Sequence, residues 1–232
     1  MLGAGPVVHA AALVPFSTAP LGDPPPPWRV VTLPKVPRYT RFAVVERDGS
    51  HVLRIEADAS YANLLLRVDR ARLDASDRVL RWRWRVDTLS SATDITRKSG
   101  DDVPARICVL FDLPLDRLAF GDRIALRMGR ALFDPDLPAA TLCYIWDAHV
   151  APGTWLPNAY TARVMQLVLQ RGPSTEWKEE RRDLRSDFAT AFPTEATNGS
   201  FPPIAAIGIS ADGDNTGARS LAFVGDLVLG TE

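Results

Sequence analysis

Apolar and polar positions along this chain alternate mostly in twos, the period of a strand rather than of a helix. The clearest run is LRWRWRVD at 80–87. There Leu80, Trp82, Trp84 and Val86 share one strand face, and Arg81, Arg83, Arg85 and Asp87 share the other. Short runs rich in β-branched and aromatic residues predict strands over 42–46, 52–57, 63–68, 78–87, 104–112, 140–147, 162–171, 204–210 and 219–229. Turn signals such as RDGS at 47–50 and GDNTG at 213–217 separate several of them. Two stretches break the pattern. DRLAFGDRIALRMGRALF, 116–133, spaces Leu118, Ile124, Leu126, Met128 and Leu132 in a way that fits a helix better, although Gly121 and Gly129 weaken it. DLRSDFATAF, 183–192, predicts one or two helical turns, with Leu184 and Phe188 four apart on one face. Many strands with one or two short inserted helices predict a mainly β fold, an antiparallel β-sandwich of jelly-roll or galactose-binding-like type. A Rossmann-like alternation is excluded, because helices are too few and no glycine-rich phosphate loop follows a strand.

Composition adds boundaries to that picture. The 232 residues can bury a substantial core, 46% being hydrophobic and 24% charged. The net charge of −1 gives no global electrostatic reason to expect nucleic acid or an anionic membrane as partner. No run of 18 apolar residues exists, so no membrane-spanning helix is expected. With 19 prolines against 15 glycines, the chain suits a loop-rich β protein. Near the N-terminus, Val8-His9-Ala10 resembles the small-x-small cleavage pattern of a secretory signal, but the positively charged n-region is missing. Residues 1–12 are therefore read as a truncated signal peptide or a disordered tail, and 13–232 as a single β-sandwich domain. Pro24 to Pro27 form a stiff extended lead-in. Cys108 and Cys143 each sit inside an apolar run, which predicts two small buried hydrophobes and neither a disulfide nor a metal site. An exported location would permit a disulfide.

Three stretches could carry chemistry. In RKSGDDVPARICVLFD, 97–112, a basic pair and the adjacent carboxylates Asp101 and Asp102 lead into a strand carrying Arg106. These residues and Lys98 form either a polar cluster at a sheet end or a solvated turn; neighbouring strand residues point to opposite faces, so the two carboxylates are not expected to share one proton transfer. In SADGDNTGARSLAFVGD, 210–226, Asp212, Asp214 and Thr216 stand at positions 1, 3 and 5 of a calcium loop and Gly217 at position 6, but Phe223 occupies position 12. A tight turn held by backbone hydrogen bonds explains the same letters. The expectation is that Asp212 and Asp214 accept from backbone amides or from Arg106, with no metal and no cofactor required. The third set is aromatic: Trp82, Trp84, Tyr144 and Trp146 are either core or a platform for a planar ligand. Trp82 is read as core and Trp84 as reaching a cleft rim; the arginine row is the solvent face or lines a concave side. No GxSxG, HExxH, CxxC or P-loop is present. His9, His51 and His149 are scattered, which argues against histidine-centred catalysis or zinc. Carboxylates that meet across a sheet leave no spacing signature, so catalysis stays open.

Taken in order, the segments LVPFSTAP…PPPPWR, LRWRWRVD, KSGDDVPARICVLFD, LPAATLCYIWD and GISADGDNTGARSLAFVGDLVL resemble the bacterial domain-of-unknown-function family 3047 (DUF3047) over roughly residues 13 to 230. The resemblance implies an exported β-sandwich, periplasmic or secreted, and places polar signatures at Lys98, Asp101, Asp102, Arg106, Asp212, Asp214, Asn215 and Thr216, with Trp84, Tyr144 and Trp146 also matching. Where the family pattern often has an aromatic after the paired aspartates, this chain has Cys108. The expectation is a binding protein for a small polar ligand or glycan, with Trp84 and Trp146 stacking on it and Asp101, Asp102 and Arg106 bonding it. Two alternatives stand beside it: a glycoside hydrolase or lyase pairing Asp101 or Asp102 with Asp212 or Asp214, and a structural envelope module.

Overall fold

The computed structural model describes residues 13–32, 36–69, 78–118, 138–197 and 201–231, with Gly121, Arg123, Ile124 and Leu126 between them. The segment 1–12 read as a signal or tail lies outside the described residues. One sheet runs, in spatial order, β1 (Arg29–Val31), β4 (Tyr61–Arg67), β11 (Ile204–Asp212), β6 (Ala105–Phe111), β7 (Ala140–Asp147), β9 (Thr161–Arg171) and β8 (Trp155–Asn158). The other runs β10 (Ser174–Asp183), β5 (Val79–Thr88), β12 (Arg219–Val224), β3 (Ser50–Asp58) and β2 (Arg41–Arg47), with β13 (Val228–Gly230) also paired to β5. Neighbours are antiparallel except β7 and β9, which run parallel. The chain crosses repeatedly between the layers, as in a jelly roll. The fold is thus the expected β-sandwich.

The predicted strands fall into these elements, and the run 219–229 splits into β12 and β13 at residues 225–227. There the Asp226 carboxylate accepts from the Phe16 and Ser17 amides at 2.7 and 2.9 Å, tying the start of the described chain to the six-stranded sheet. The helix α1 (Leu184–Ala191) forms as the pattern predicts. Asp183 caps it by accepting from the Ser186 amide, and Leu184 and Phe188 are fully buried. Of the helix predicted over 116–133, Leu115–Arg117 make a single 3-10 turn, while Gly121, Arg123, Ile124 and Leu126 are helical. The rest of that prediction lies outside the described residues. Three strands carry no sequence expectation: β1, β8 and β10.

The alternation in β5 resolves into core and surface. Trp82 and Trp84 project between the sheets, where Trp82 meets Tyr144 with ring centroids 5.2 Å apart and Trp84 meets Trp146 edge-on at 5.5 Å. Trp84, Tyr144 and Trp146 are at most 1% exposed. The reading of these three as ligand contacts is therefore corrected: they are the interlayer core, and Trp84 reaches no rim. Their polar tips are satisfied inside the fold, as buried tryptophan and tyrosine require. The Trp84 indole N–H donates to Glu180, the Trp146 indole N–H to the Gly172 carbonyl, and the Tyr144 hydroxyl to Asp187. Burial and the adjacent Asp187 carboxylate push the Tyr144 phenol well above its ordinary range.

β7 is buried at every position because both its faces are covered. Its outer side belongs to a small second cluster of Ile95, Val103, Cys143, Ile145 and Val168. Here a second expectation is overturned. Cys108 on β6 and Cys143 on β7 are directly opposite in register and form a disulfide, with their Cα atoms 4.0 Å apart. The apolar runs concealed this pairing, since register between distant strands is not written in local pattern.

Candidate functional site

Because β6 begins where the antiparallel β11 ends, the loop before β6 and the turn after β11 are brought to the same end of the seven-stranded sheet. The two polar stretches, more than a hundred residues apart in sequence, therefore meet. Ser210 lies opposite Arg106, and Tyr61 on β4 lies opposite Asp212. Ile107, Ile209 and Ala211 fill the core, while Arg106 and Asp212 alternate to the outer face.

Asp102 is fully buried and is the knot of the cluster. One of its oxygens accepts from the Thr216 amide at 2.7 Å and the Thr216 hydroxyl at 2.6 Å. The other accepts from the Asn215 amide and side-chain amide, both at 3.2 Å. Four donors replace the water that a buried carboxylate loses. The turn that supplies them needs Gly213, because a Cβ there would lie 2.3 Å from the Ala218 carbonyl oxygen. Asp212 accepts from the Val103 amide at 2.6 Å and from the Arg106 guanidinium at 2.8 Å. The bonds expected of Asp212 are thus found, and Arg106 serves Asp212 rather than Asp214, which is exposed. Thr216, read as a calcium-loop position, instead points its hydroxyl at Asp102.

Beside this knot lie a third buried carboxylate, Asp101, and the exposed Tyr160. Asp101 is held by the Asn158 side-chain amide at 2.7 Å on one oxygen, while its other oxygen is buried with no hydrogen-bond partner. The exposed Tyr160 donates toward the Lys98 carbonyl at 3.2 Å and the Asn215 side-chain carbonyl at 3.1 Å, and the Lys98 ammonium lies 5.3 Å from its ring centroid. Asn158 and Tyr160, from the β8–β9 connection, carry no sequence expectation. WLPNAY contains no motif, and only an aromatic in a polar turn hints at a role.

Electrostatically the site is crowded with carboxylates. Burial pushes Asp212 up to about 7; Arg106 and the Val103 amide pull the other way, and Asp102 and Asp101 add to the rise. Burial works to lower the Arg106 guanidinium, but Asp212, Asp101, Tyr61 and Asp102 outweigh it and leave it raised. Burial and the nearby Asp102 and Asp101 also raise Asp214, and burial with the surrounding carboxylates raises Tyr160. Asp102 and Asp212, both sheltered and fully engaged, are not presented to a substrate. The carboxylate toward solvent is Asp214, while Asp101 is itself buried at 5% exposure. Lys98, Asp101, Asp102, Arg106, Asp212, Asp214, Asn215 and Thr216 therefore belong to one locality, whereas Trp84, Tyr144 and Trp146 lie in the interior.

No curated protein matches the chain. Among solved structures it is similar to the K2 cleaved adhesin domain of Lys-gingipain (Kgp), at 10% identity over 93% of this chain and 96% of that one, with a TM-score of 0.40. Residues 26–228 match the family described as "Protein of unknown function (DUF3047)", and that match takes in β5, the Asp101–Asp102 loop and the 212–216 turn. The chain belongs to the DUF3047 family.

Proposed function

We propose that this protein is an exported binding protein that holds a hydroxyl-rich ligand, a saccharide, at the end of the seven-stranded sheet. The observation that carries this reading is the unpartnered buried oxygen of Asp101 beside the exposed ring of Tyr160. The flat exposed ring of Tyr160 suits the apolar face of a sugar, and the unpartnered Asp101 oxygen beneath the surface suits a hydroxyl of a ligand that displaces what covers it. Asp102, Asp212 and Arg106 support the site from beneath. They hold the two loops in register, so that Asp101, Asn215, Lys98 and Tyr160 present fixed geometry. The disulfide between β6 and β7 supports a periplasmic or extracellular setting, since disulfides persist where thiols are not kept reduced.

A glycan array combined with thermal-shift measurements on cell-wall fragments tests the reading. At least one saccharide should bind and raise the melting temperature. Tyr160→Ala and Asp101→Asn should each weaken that binding by about tenfold while leaving the unliganded melting temperature within a few degrees. The absence of any hit on folded protein, or a hit indifferent to both substitutions, would overturn it. Release of reducing ends from a bound glycan, lost in Asp214→Asn, would instead show that the solvent-facing Asp214 is catalytic.

A further inference from the structure

The outer face of the six-stranded sheet carries a groove of about 690 Å³ that the site above does not use. Arg81 and Arg83 from β5 and Arg181 from β10 line it. Arg81 and Arg181 are direct cross-strand partners, an arrangement in which like charges repel. Repulsion of this kind is ordinarily relieved by interleaved carboxylates, yet among the described residues neither arginine makes an ion pair.

The acids nearby are largely committed elsewhere. Asp226 binds the Phe16 and Ser17 amides and the Ser17 hydroxyl. Glu180 accepts from Trp84 and Gln170. Only Glu179, exposed and opposite Arg83, remains available in the lining. Arg83 is held in place without an acid: its guanidinium stacks 4.7 Å from the Trp177 ring centroid, and its stem lies across Gly225, where a Cβ would come within 2.8 Å of it. Arg85, the next outward arginine along β5, shows the contrasting case: it is almost fully buried by ion pairs to Asp87 and Asp48. Of the three arginines in the row, Arg85 is therefore paired with acids, while among the described residues Arg81 and Arg83 stand without an ion pair over an open groove.

We infer that this groove is a second binding site, selective for an oxyanion-bearing ligand whose carboxylate or phosphate bridges Arg81 and Arg181. Guanidinium pairs grip such groups through paired hydrogen bonds, and a groove of this size takes a ligand of about two sugar units. It lies on the opposite sheet from the Asp101–Tyr160 site, so the two stand or fall separately.

Titration calorimetry of the full chain at low ionic strength, with digalacturonate, inorganic phosphate and neutral digalactose as probes, tests this. At least one anion should bind saturably, and Arg81→Gln and Arg181→Gln should each weaken it about tenfold or more, while Asp101→Asn leaves it unchanged. Digalacturonate alone binding identifies a sugar carboxylate, and phosphate alone binding identifies a phosphoryl group. Digalactose should show no binding that depends on Arg81 or Arg181. Without ligand, Arg181→Gln should melt no lower than the parent protein, because it removes a like-charge pair. No saturable binding by either anion, binding indifferent to both substitutions, or a lower unliganded melting temperature for Arg181→Gln would each overturn the inference.

Discussion

Asp102 and Asp212 sit side by side in the same cluster and should respond to mutation and pH in different ways. Asp102 is surrounded by donors, so Asp102→Asn turns an acceptor-only group into one that presents its own N–H groups to the Asn215 and Thr216 amides. The expected cost is roughly 2–4 kcal/mol, measurable as a shift in the urea midpoint at unchanged slope. Asp212 is buried among other carboxylates, and its folded pKa of about 7 exceeds that of an unfolded aspartate. The folded state consequently holds this proton more tightly than the unfolded state does. The stabilisation is complete below about pH 4 and is lost as pH rises through the folded value. Melting temperatures taken from pH 5 to 8 should fall with rising pH, and Asp212→Asn should flatten that slope. A flat profile in the parent protein would show that Arg106 keeps Asp212 ionised throughout.

Between elements, the disulfide is the one covalent tie described between strands. It closes a loop of 35 residues between β6 and β7, and on the chain-entropy model its removal costs about 3–4 kcal/mol. Replacing both cysteines with serine should lower the denaturation midpoint accordingly, and unfolded protein should yield free thiols only after reduction. Most strands were legible because their alternation is a local property. β10 was not, because its inward positions are the charged Lys178, Glu180 and Arg182, of which Glu180 and Arg182 are held by hydrogen bonds rather than by apolar packing. β8 is four residues long and contains Pro157, which erases the strand signal. The aromatic pairs were legible as strand residues but not as core, since a buried face and a ligand platform obey the same period. Lys98, Asp101, Asp102, Arg106 and the 212–216 turn were legible as polar groups out of keeping with their apolar surroundings. Their convergence depends on β6 pairing with β11, and nothing in a single strand names its neighbour.

For the molecule as a whole, the aromatic contacts from Tyr144 through Trp82 and Trp84 to Trp146 join the two sheets into one core. Trp84→Ala should cost about 3–5 kcal/mol and lower the stability of both sheets together, seen as one cooperative transition by fluorescence and circular dichroism alike. Two separate transitions would show that the sheets are independently stable. The Asp102 and Asp212 bonds have a different kind of consequence. They join residues 106 to 114 positions apart, so the loops they fasten meet only after most of the intervening chain has been organised. No fragment of the chain shorter than that separation contains the site. A ligand held there thus draws its free energy of binding from the completed domain, and occupancy adds to the stability of that domain as a whole. Binding would therefore report on the integrity of the fold.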